Sequence, residues 1–121
     1  MDNTSFIEVS ESAYKNNVDY IKSRLNPGTT LSHVVKGNAY GHGIEEYVPM
    51  AYRNGAQHFS VFDAHEAFRV KNIAPEVDIM IMGMISDGQL EWAIENKVSF
   101  YIFDETRLKS AIKAAKKIGK K

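Results

Sequence analysis

The chain has 121 residues with 15 basic and 15 acidic side chains, so its formal net charge is zero. This balance gives no reason to expect a nucleic-acid partner, and no apolar run approaches the length that spans a membrane. The absence of cysteine excludes disulfides and thiolate metal sites. The first ten residues lack the basic start and apolar core of a signal peptide. We therefore predict a single soluble, cytoplasmic domain that binds neither nucleic acid nor membrane.

Predicted helices and strands alternate along the chain. Apolar residues at helical spacing predict a first helix over residues 11–25, ended by Asn26-Pro27-Gly28. The short apolar run at residues 6–9 precedes that helix and fits no repeat. Four strands are predicted at residues 31–35, 58–62, 77–82 and 98–103. The later helices are predicted at residues 44–54, after Asp63, at residues 87–96 and after Asp104.

Several helix ends carry recognisable signals. Asp63 with Glu66, and Ser86 with Gln89, have the spacing of capping boxes at helix starts. Gly55 stands where a left-handed cap would end the helix at residues 44–54. The buried face of the last helix is predicted to carry Leu108, Ala111, Ile112 and Ala115.

The spacing of the strands indicates the fold class. The strands begin near residues 31, 58, 77 and 98, so each strand-plus-helix unit takes roughly 20 to 27 residues, which is typical of parallel βα architecture. A doubly wound open sheet and a (β/α)8 barrel both fit this pattern. A complete barrel has eight units and about 250 residues, and this chain supplies four units.

Lys36 is the first candidate for chemistry. It stands in the segment VVKGNAYGHG, residues 34–43, directly after the predicted strand 31–35. In both parallel architectures the functional groups gather at the carboxyl ends of the strands. A lysine amine there can react with a carbonyl compound, although a solvated lysine that merely closes a strand is the plain alternative.

The loop after Lys36 is suited to a phosphate group. Its glycines allow close approach of the backbone to a ligand, and it runs into the helix at residues 44–54, whose first amides favour anions. Tyr40 adds a hydroxyl donor. The glycine spacing G-x-x-x-G-x-G matches neither the dinucleotide fingerprint nor the Walker A loop. Lysine and loop together predict a pyridoxal-phosphate site.

VVKGNAYGHG also resembles the pyridoxal-phosphate lysine motif of the alanine racemase family, usually written VVKANAYGHG, with Gly37 in place of the usual alanine. The opening FIEVSESAYKNNVDYIK is similar to the start of that family, where a short strand precedes the first helix. FSVFDAHEAFRV resembles the family's second strand with its following helix, and VDIMIMG resembles its third strand. The resemblance covers essentially the whole chain.

The resemblance implies a fold and two site residues. The fold would be α/β, a partial (β/α)8 TIM-type barrel with roughly the first four βα units. Residues 1–121 would be the N-terminal part of the barrel domain, without its C-terminal half and the β-rich second domain. Lys36 would form the Schiff base with pyridoxal 5'-phosphate and act as one of two acid/base groups. Tyr40 would contact the cofactor phosphate.

The resemblance further implies racemisation of a small amino acid, L-alanine to D-alanine, by a homodimer. Family members also carry a KxDTGMxR stretch, an arginine facing the pyridine nitrogen and a catalytic tyrosine from the partner subunit, none of which can be placed here. Two-base racemisation needs a proton acceptor on each face of the α-carbon, so we expect this chain alone to be inactive. Two alternatives stay open: a non-racemising pyridoxal-phosphate carrier, and a truncated interaction module with exposed strand edges.

The remaining polar residues predict no further site. The four histidines show no spacing typical of metal ligands; they are His33, His42, His58 and His65. The lysines of residues 113–121 fit a solvated helix end better than a nucleic-acid patch, because no aromatic residue stands among them.

Overall fold

The computed structural model describes residues 4–119, in which helices and strands alternate as the sequence predicts. The strands are β1 (His33–Val34), β2 (His58–Val61), β3 (Asp78–Ile81) and β4 (Ser99–Phe100). The helices are α1 (Glu11–Arg24), α3 (Ile44–Arg53), α4 (Ala64–Ile73), α5 (Asp87–Glu95) and α6 (Glu105–Lys117), and the short segment α2 (Lys36–Tyr40) is a single turn with left-handed backbone angles.

The strand order distinguishes between the two parallel architectures. All four strands are parallel and lie in the order β1-β2-β3-β4, so each strand pairs with the next one along the chain. A doubly wound sheet reverses its strand order at a switch point, and no reversal occurs among these four strands. The prediction of a partial (β/α)8 barrel with four βα units is therefore confirmed.

The hydrophobic core lies between the sheet and its helices. Side chains alternate across a strand, and on the covered face Phe59, Val61, Ile79 and Ile81 are fully or almost fully buried. They belong to one cluster with apolar side chains of the helices. The opposite face, which lines the interior in a complete barrel, is more open, and Val34 is 39% exposed there.

The predicted helix caps are present, except that the Glu66 carboxylate accepts from the Phe62 amide and not from Asp63, so the first capping box is only half formed. Asp63 Oδ1 accepts a hydrogen bond of 2.9 Å from the Glu66 amide at the start of α4. Ser86 donates its amide to Gln89 Oε1 over 3.2 Å at the start of α5. Gly55, just after α3, has a φ of +86°. These short-range signals are predictable because each depends on residues only a few positions apart.

The edge strands are shorter than predicted. β1 and β4 have two residues each, against predictions of residues 31–35 and 98–103. Among residues 4–119 each of these two strands pairs with a single neighbour, so the pairing with that neighbour alone sets its length. The family's short initial strand is also not seen in residues 4–10, where Phe6 and Ile7 are largely exposed.

The buried face of α6 differs from the prediction. Leu108 and Ile112 remain nearly half exposed, whereas Ala114 is buried and Ala111 packs against the core. Helix α6 packs against α5, and the side of α6 that this contact covers is the one that carries the small alanine side chains. The apolar spacing alone could not show which side of the helix has a neighbour.

Helix α1 is attached to α3 by an ion pair. Arg53 donates to both Glu11 carboxylate oxygens over 2.7 and 2.6 Å, and Asn54 Nδ2 donates to Glu11 Oε1 over 2.7 Å. These hydrogen bonds lower the pKa of Glu11 to about 2.

Within residues 4–119, no helix is both long and apolar enough to cross a membrane.

Candidate functional site

Lys36 lies at the carboxyl end of the first strand, as predicted. The preceding residue, Val35, is fully buried and donates its amide to the Ser60 carbonyl over 2.8 Å, which anchors the chain to β2. Lys36 itself is half-buried. The backbone of Lys36 is therefore fixed by the sheet, while its side chain lines a cavity at the carboxyl ends of the strands.

The segment after Lys36 is a left-handed turn, where a loop was predicted. Gly37, Asn38 and Ala39 have φ/ψ angles of 61°/43°, 55°/48° and 54°/44°, and Tyr40 has a φ of 53°. For residues other than glycine this conformation costs roughly 1–2 kcal/mol each, with asparagine the most tolerant. Such a turn persists only when its surroundings hold it, and strain of this kind is concentrated at functional sites.

Asn38 is the best-connected residue of the turn. Its amide donates to Glu66 Oε1 over 3.0 Å. Its side-chain Oδ1 accepts from the Ile44 amide over 3.2 Å and from Arg69 Nη2 over 2.7 Å. Asn38 therefore joins the turn to the start of α3 and to two side chains of α4.

Glu66 connects the ends of the first two strands. One carboxylate oxygen accepts from the Asn38 amide after β1, and the other accepts from the Phe62 amide after β2, over 2.9 Å. The sequence suggested only a capping box with Asp63. The long-range contact to Asn38 has no local signal, because the two residues lie 28 positions apart.

Arg69 forms a bidentate ion pair with Glu45. Its Nε and Nη2 lie 2.8 and 2.5 Å from the two Glu45 carboxylate oxygens. The hydrogen bonds from Arg69 are the main reason why the pKa of Glu45 is lowered, and the pair raises the pKa of Arg69. The guanidinium thus stays charged beside Asn38.

Lys36 and Tyr40 line one cavity. Its volume is about 340 Å³, and Gly37, Phe62 and Glu66 complete the lining. Tyr40 is 63% exposed, so its hydroxyl is available to a ligand. The structure therefore brings the two predicted site residues together, and it adds Phe62 and Glu66, which sequence reasoning missed.

The start of α3 is less suited to an anion than the sequence suggested. The Ile44 amide already donates to Asn38, and the Glu45 carboxylate is hydrogen-bonded to its own backbone amide. Glu45 and Glu46 also place two carboxylates in the first turn. A phosphate at this helix end would meet negative charge, so Tyr40 is the better candidate for a phosphate contact.

His42 and His58 hold structural positions. His42 Nδ1 lies 3.0 Å from the Ala39 carbonyl oxygen, so it supports the left-handed turn. His58 Nδ1 lies 2.7 Å from Ser32 Oγ, near the opposite ends of the strands. Within residues 4–119, no group of three or more histidine and carboxylate side chains is arranged to hold a metal ion.

The family profile described as "Alanine racemase, N-terminal domain" matches residues 9–121. The chain belongs to this family. It is 34% identical over 99 residues to an alanine racemase of Leptospira interrogans. The aligned region covers 82% of this chain and 25% of that protein. The family resemblance read from VVKGNAYGHG is thereby confirmed.

Solved structures of the family have the same fold. An alanine racemase from Bacillus anthracis with bound L-Ala-P has a TM-score of 0.76 and 30% identity, over 86% of this chain and 27% of that one. An alanine racemase from Bartonella henselae with covalently bound pyridoxal phosphate has a TM-score of 0.82 and 24% identity, over 93% of this chain and 33% of that one. The chain spans about a quarter to a third of the length of the relatives it matches.

Proposed function

We propose that the chain is the N-terminal part of a pyridoxal-phosphate-dependent racemase that converts L-alanine to D-alanine. The observation that carries this proposal is the shared cavity of Lys36 and Tyr40 at the carboxyl ends of the strands, in a member of the alanine racemase family. Residues 1–121 would form the first half of the barrel domain. The second half of the barrel and a β-rich domain would lie outside them.

The residues of the cavity fit pyridoxal phosphate. Lys36 offers a primary amine that could condense with the cofactor's aldehyde with release of water, and the exposed Tyr40 hydroxyl could donate to a phosphate oxygen. Phe62 contributes an aromatic surface on the same wall. When bound, the cofactor supplies an electron sink that stabilises negative charge on the substrate α-carbon.

Lys36 would perform two tasks. Its Nζ would hold the cofactor before substrate arrives, and would then take or return the α-proton on one face of the substrate. The buried backbone of Val35 keeps the start of this side chain fixed. Proton transfer on the opposite face needs a second group, and we propose that a partner subunit supplies it in a homodimer. We also propose the cytoplasm as the location.

Covalent labelling tests the assignment of Lys36. Pyridoxal phosphate is added to the chain and fixed with borohydride, and the labelled peptide is located by mass spectrometry. We expect one dominant site, Lys36, and loss of that label in Lys36→Ala. Lys109→Ala, which removes an exposed lysine of α6, is the matched control and should change nothing. Equal labelling of many lysines, unaffected by Lys36→Ala, would contradict the proposal.

A further inference from the structure

We propose that Glu66 and Arg69 of α4 are positioning residues, which hold the left-handed turn of residues 37–40 and so place Tyr40 at the cavity beside Lys36. The inference rests on the proposed function in one respect: the cavity is taken to bind pyridoxal phosphate. The support of the turn itself can be measured without any cofactor.

The turn's own hydrogen bonds do not determine its handedness. The Gly41 amide donates to the Gly37 and Asn38 carbonyls over 3.3 and 3.1 Å. A right-handed turn makes bonds with the same residue spacing, and Ala39 and Tyr40 would be less strained in it. Contacts from outside the turn must therefore favour the left-handed form.

Helix α4 supplies such contacts through Asn38. Glu66 accepts from the Asn38 backbone amide, and Arg69 donates to the Asn38 side chain. Reversing the hand of the turn would redirect both groups of Asn38, so both contacts would be lost. Because each contact involves a charged side chain, each is stronger than a hydrogen bond between neutral groups.

The two α4 residues are themselves fixed. They are three positions apart and so lie on the same side of the helix. Glu66 is tied to the end of β2 by the Phe62 amide, and Arg69 is tied to α3 by Glu45. Helix α4 therefore links the turn to two neighbouring elements, and Glu66 also lines the cavity.

This arrangement predicts how variants of α4 affect the site. Lys36 follows the buried Val35, so its position depends on the strand rather than on α4. Tyr40 is the last residue of the turn, so its position depends on the handedness of residues 37–40. Loss of Glu66 or Arg69 should weaken cofactor binding through Tyr40 and leave the reactivity of Lys36 intact.

Amide hydrogen exchange of the cofactor-free chain tests the support of the turn. In Glu66→Gln the Asn38 amide should exchange about tenfold faster, because its hydrogen bond loses the charged acceptor and is weakened to a bond between neutral groups. Arg69→Gln should act in the same direction, and amides of β3 should be unchanged in both variants. Glu105→Gln, the same substitution in the first turn of α6, is the control. Unchanged exchange at Asn38, or equally faster exchange throughout the chain, would overturn the inference.

A double-mutant cycle tests the route through Tyr40. Glu66→Gln should raise the dissociation constant of pyridoxal phosphate about tenfold in the wild-type chain, but should have little further effect in Tyr40→Phe. Independent, additive effects would overturn the proposed route. If the wild-type chain fails to bind the cofactor at Lys36, the proposed function fails, and the exchange experiment still decides whether α4 holds the turn.

Discussion

His33 combines burial with an unsatisfied polar atom. Its side chain is 7% exposed, its Nδ1 lies 3.3 Å from the Tyr14 hydroxyl, and its Nε2 has no hydrogen-bond partner among the described residues. Burial disfavours the charged imidazolium, and the positive charges of Lys22 and His58 add to this effect. The pKa of His33 therefore lies below its usual value of 6.5.

This lowered pKa predicts an acid-sensitive fold. The unfolded chain binds a proton at His33 more readily than the folded chain, so the contribution of the neutral histidine is complete above the unfolded pKa of 6.5 and is lost as the pH falls below it. Urea unfolding followed from about pH 8 to about pH 5 should show this loss. His33→Gln should flatten the profile, whereas the exposed His65→Gln should not. Equal slopes in all three proteins would contradict the prediction.

The Tyr40 hydroxyl should contribute directly to the affinity for pyridoxal phosphate. A hydrogen bond to a charged phosphate is worth about 1.5–3 kcal/mol, so Tyr40→Phe should weaken binding of pyridoxal phosphate by tenfold or more, with labelling of Lys36 retained at saturating cofactor. Titration by absorbance measures the affinity. Tyr20→Phe, which removes an exposed hydroxyl on α1, is the control. An unchanged dissociation constant would mean that the Tyr40 hydroxyl does not reach the phosphate.

For helices and strands, sequence reasoning succeeds where the cause is local. The cap of α4 by Asp63 and the position of Lys36 directly after β1 and the buried Val35 follow from neighbouring residues. The handedness of residues 37–40 does not, because Glu66 and Arg69 approach it from 28 and 31 positions away. The sequence predicts the role of Glu66 at the start of α4. Its contact with Asn38 in the left-handed turn depends on the pairing of β1 with β2, which brings the two residues together.

The ends of β2 and β3 meet at Gly83. Its amide donates to the Phe62 carbonyl over 2.8 Å, and a Cβ on Gly83 would lie 2.5 Å from that same oxygen. Gly83→Ala should therefore destabilise the fold by about 1–3 kcal/mol, as overpacking does. Gly88 in α5 has open space at its Cβ position, so Gly88→Ala should stabilise by up to about 1 kcal/mol. Thermal unfolding measures both, and similar shifts for the two variants would contradict the assigned clash.

The two faces of the sheet are unequally covered. Helices cover the face that carries Phe59 and Ile79, whereas Phe62 and Tyr101, near the carboxyl ends of the strands, are more than half exposed. The spacing of the predicted strands indicates four βα units. It does not distinguish a barrel from a doubly wound sheet, because local periodicity does not determine the order of strands in a sheet. The sequential order of β1 to β4 in the sheet fits the barrel and not the doubly wound sheet.

The 121-residue chain by itself should not racemise alanine. Lys36 offers a proton acceptor for one face of the α-carbon, and the tyrosine and arginine that the family resemblance implies have no matching positions in this sequence. Loss of a proton-transfer group costs on the order of a hundredfold to ten-thousandfold in rate, and the open face of the sheet admits water to the site. Chiral chromatography should therefore detect no D-alanine from L-alanine above the level formed by free pyridoxal phosphate. The Lys36→Ala chain is the matched control, and turnover of about one per second or faster that depends on Lys36 would show that this chain supplies a second base of its own.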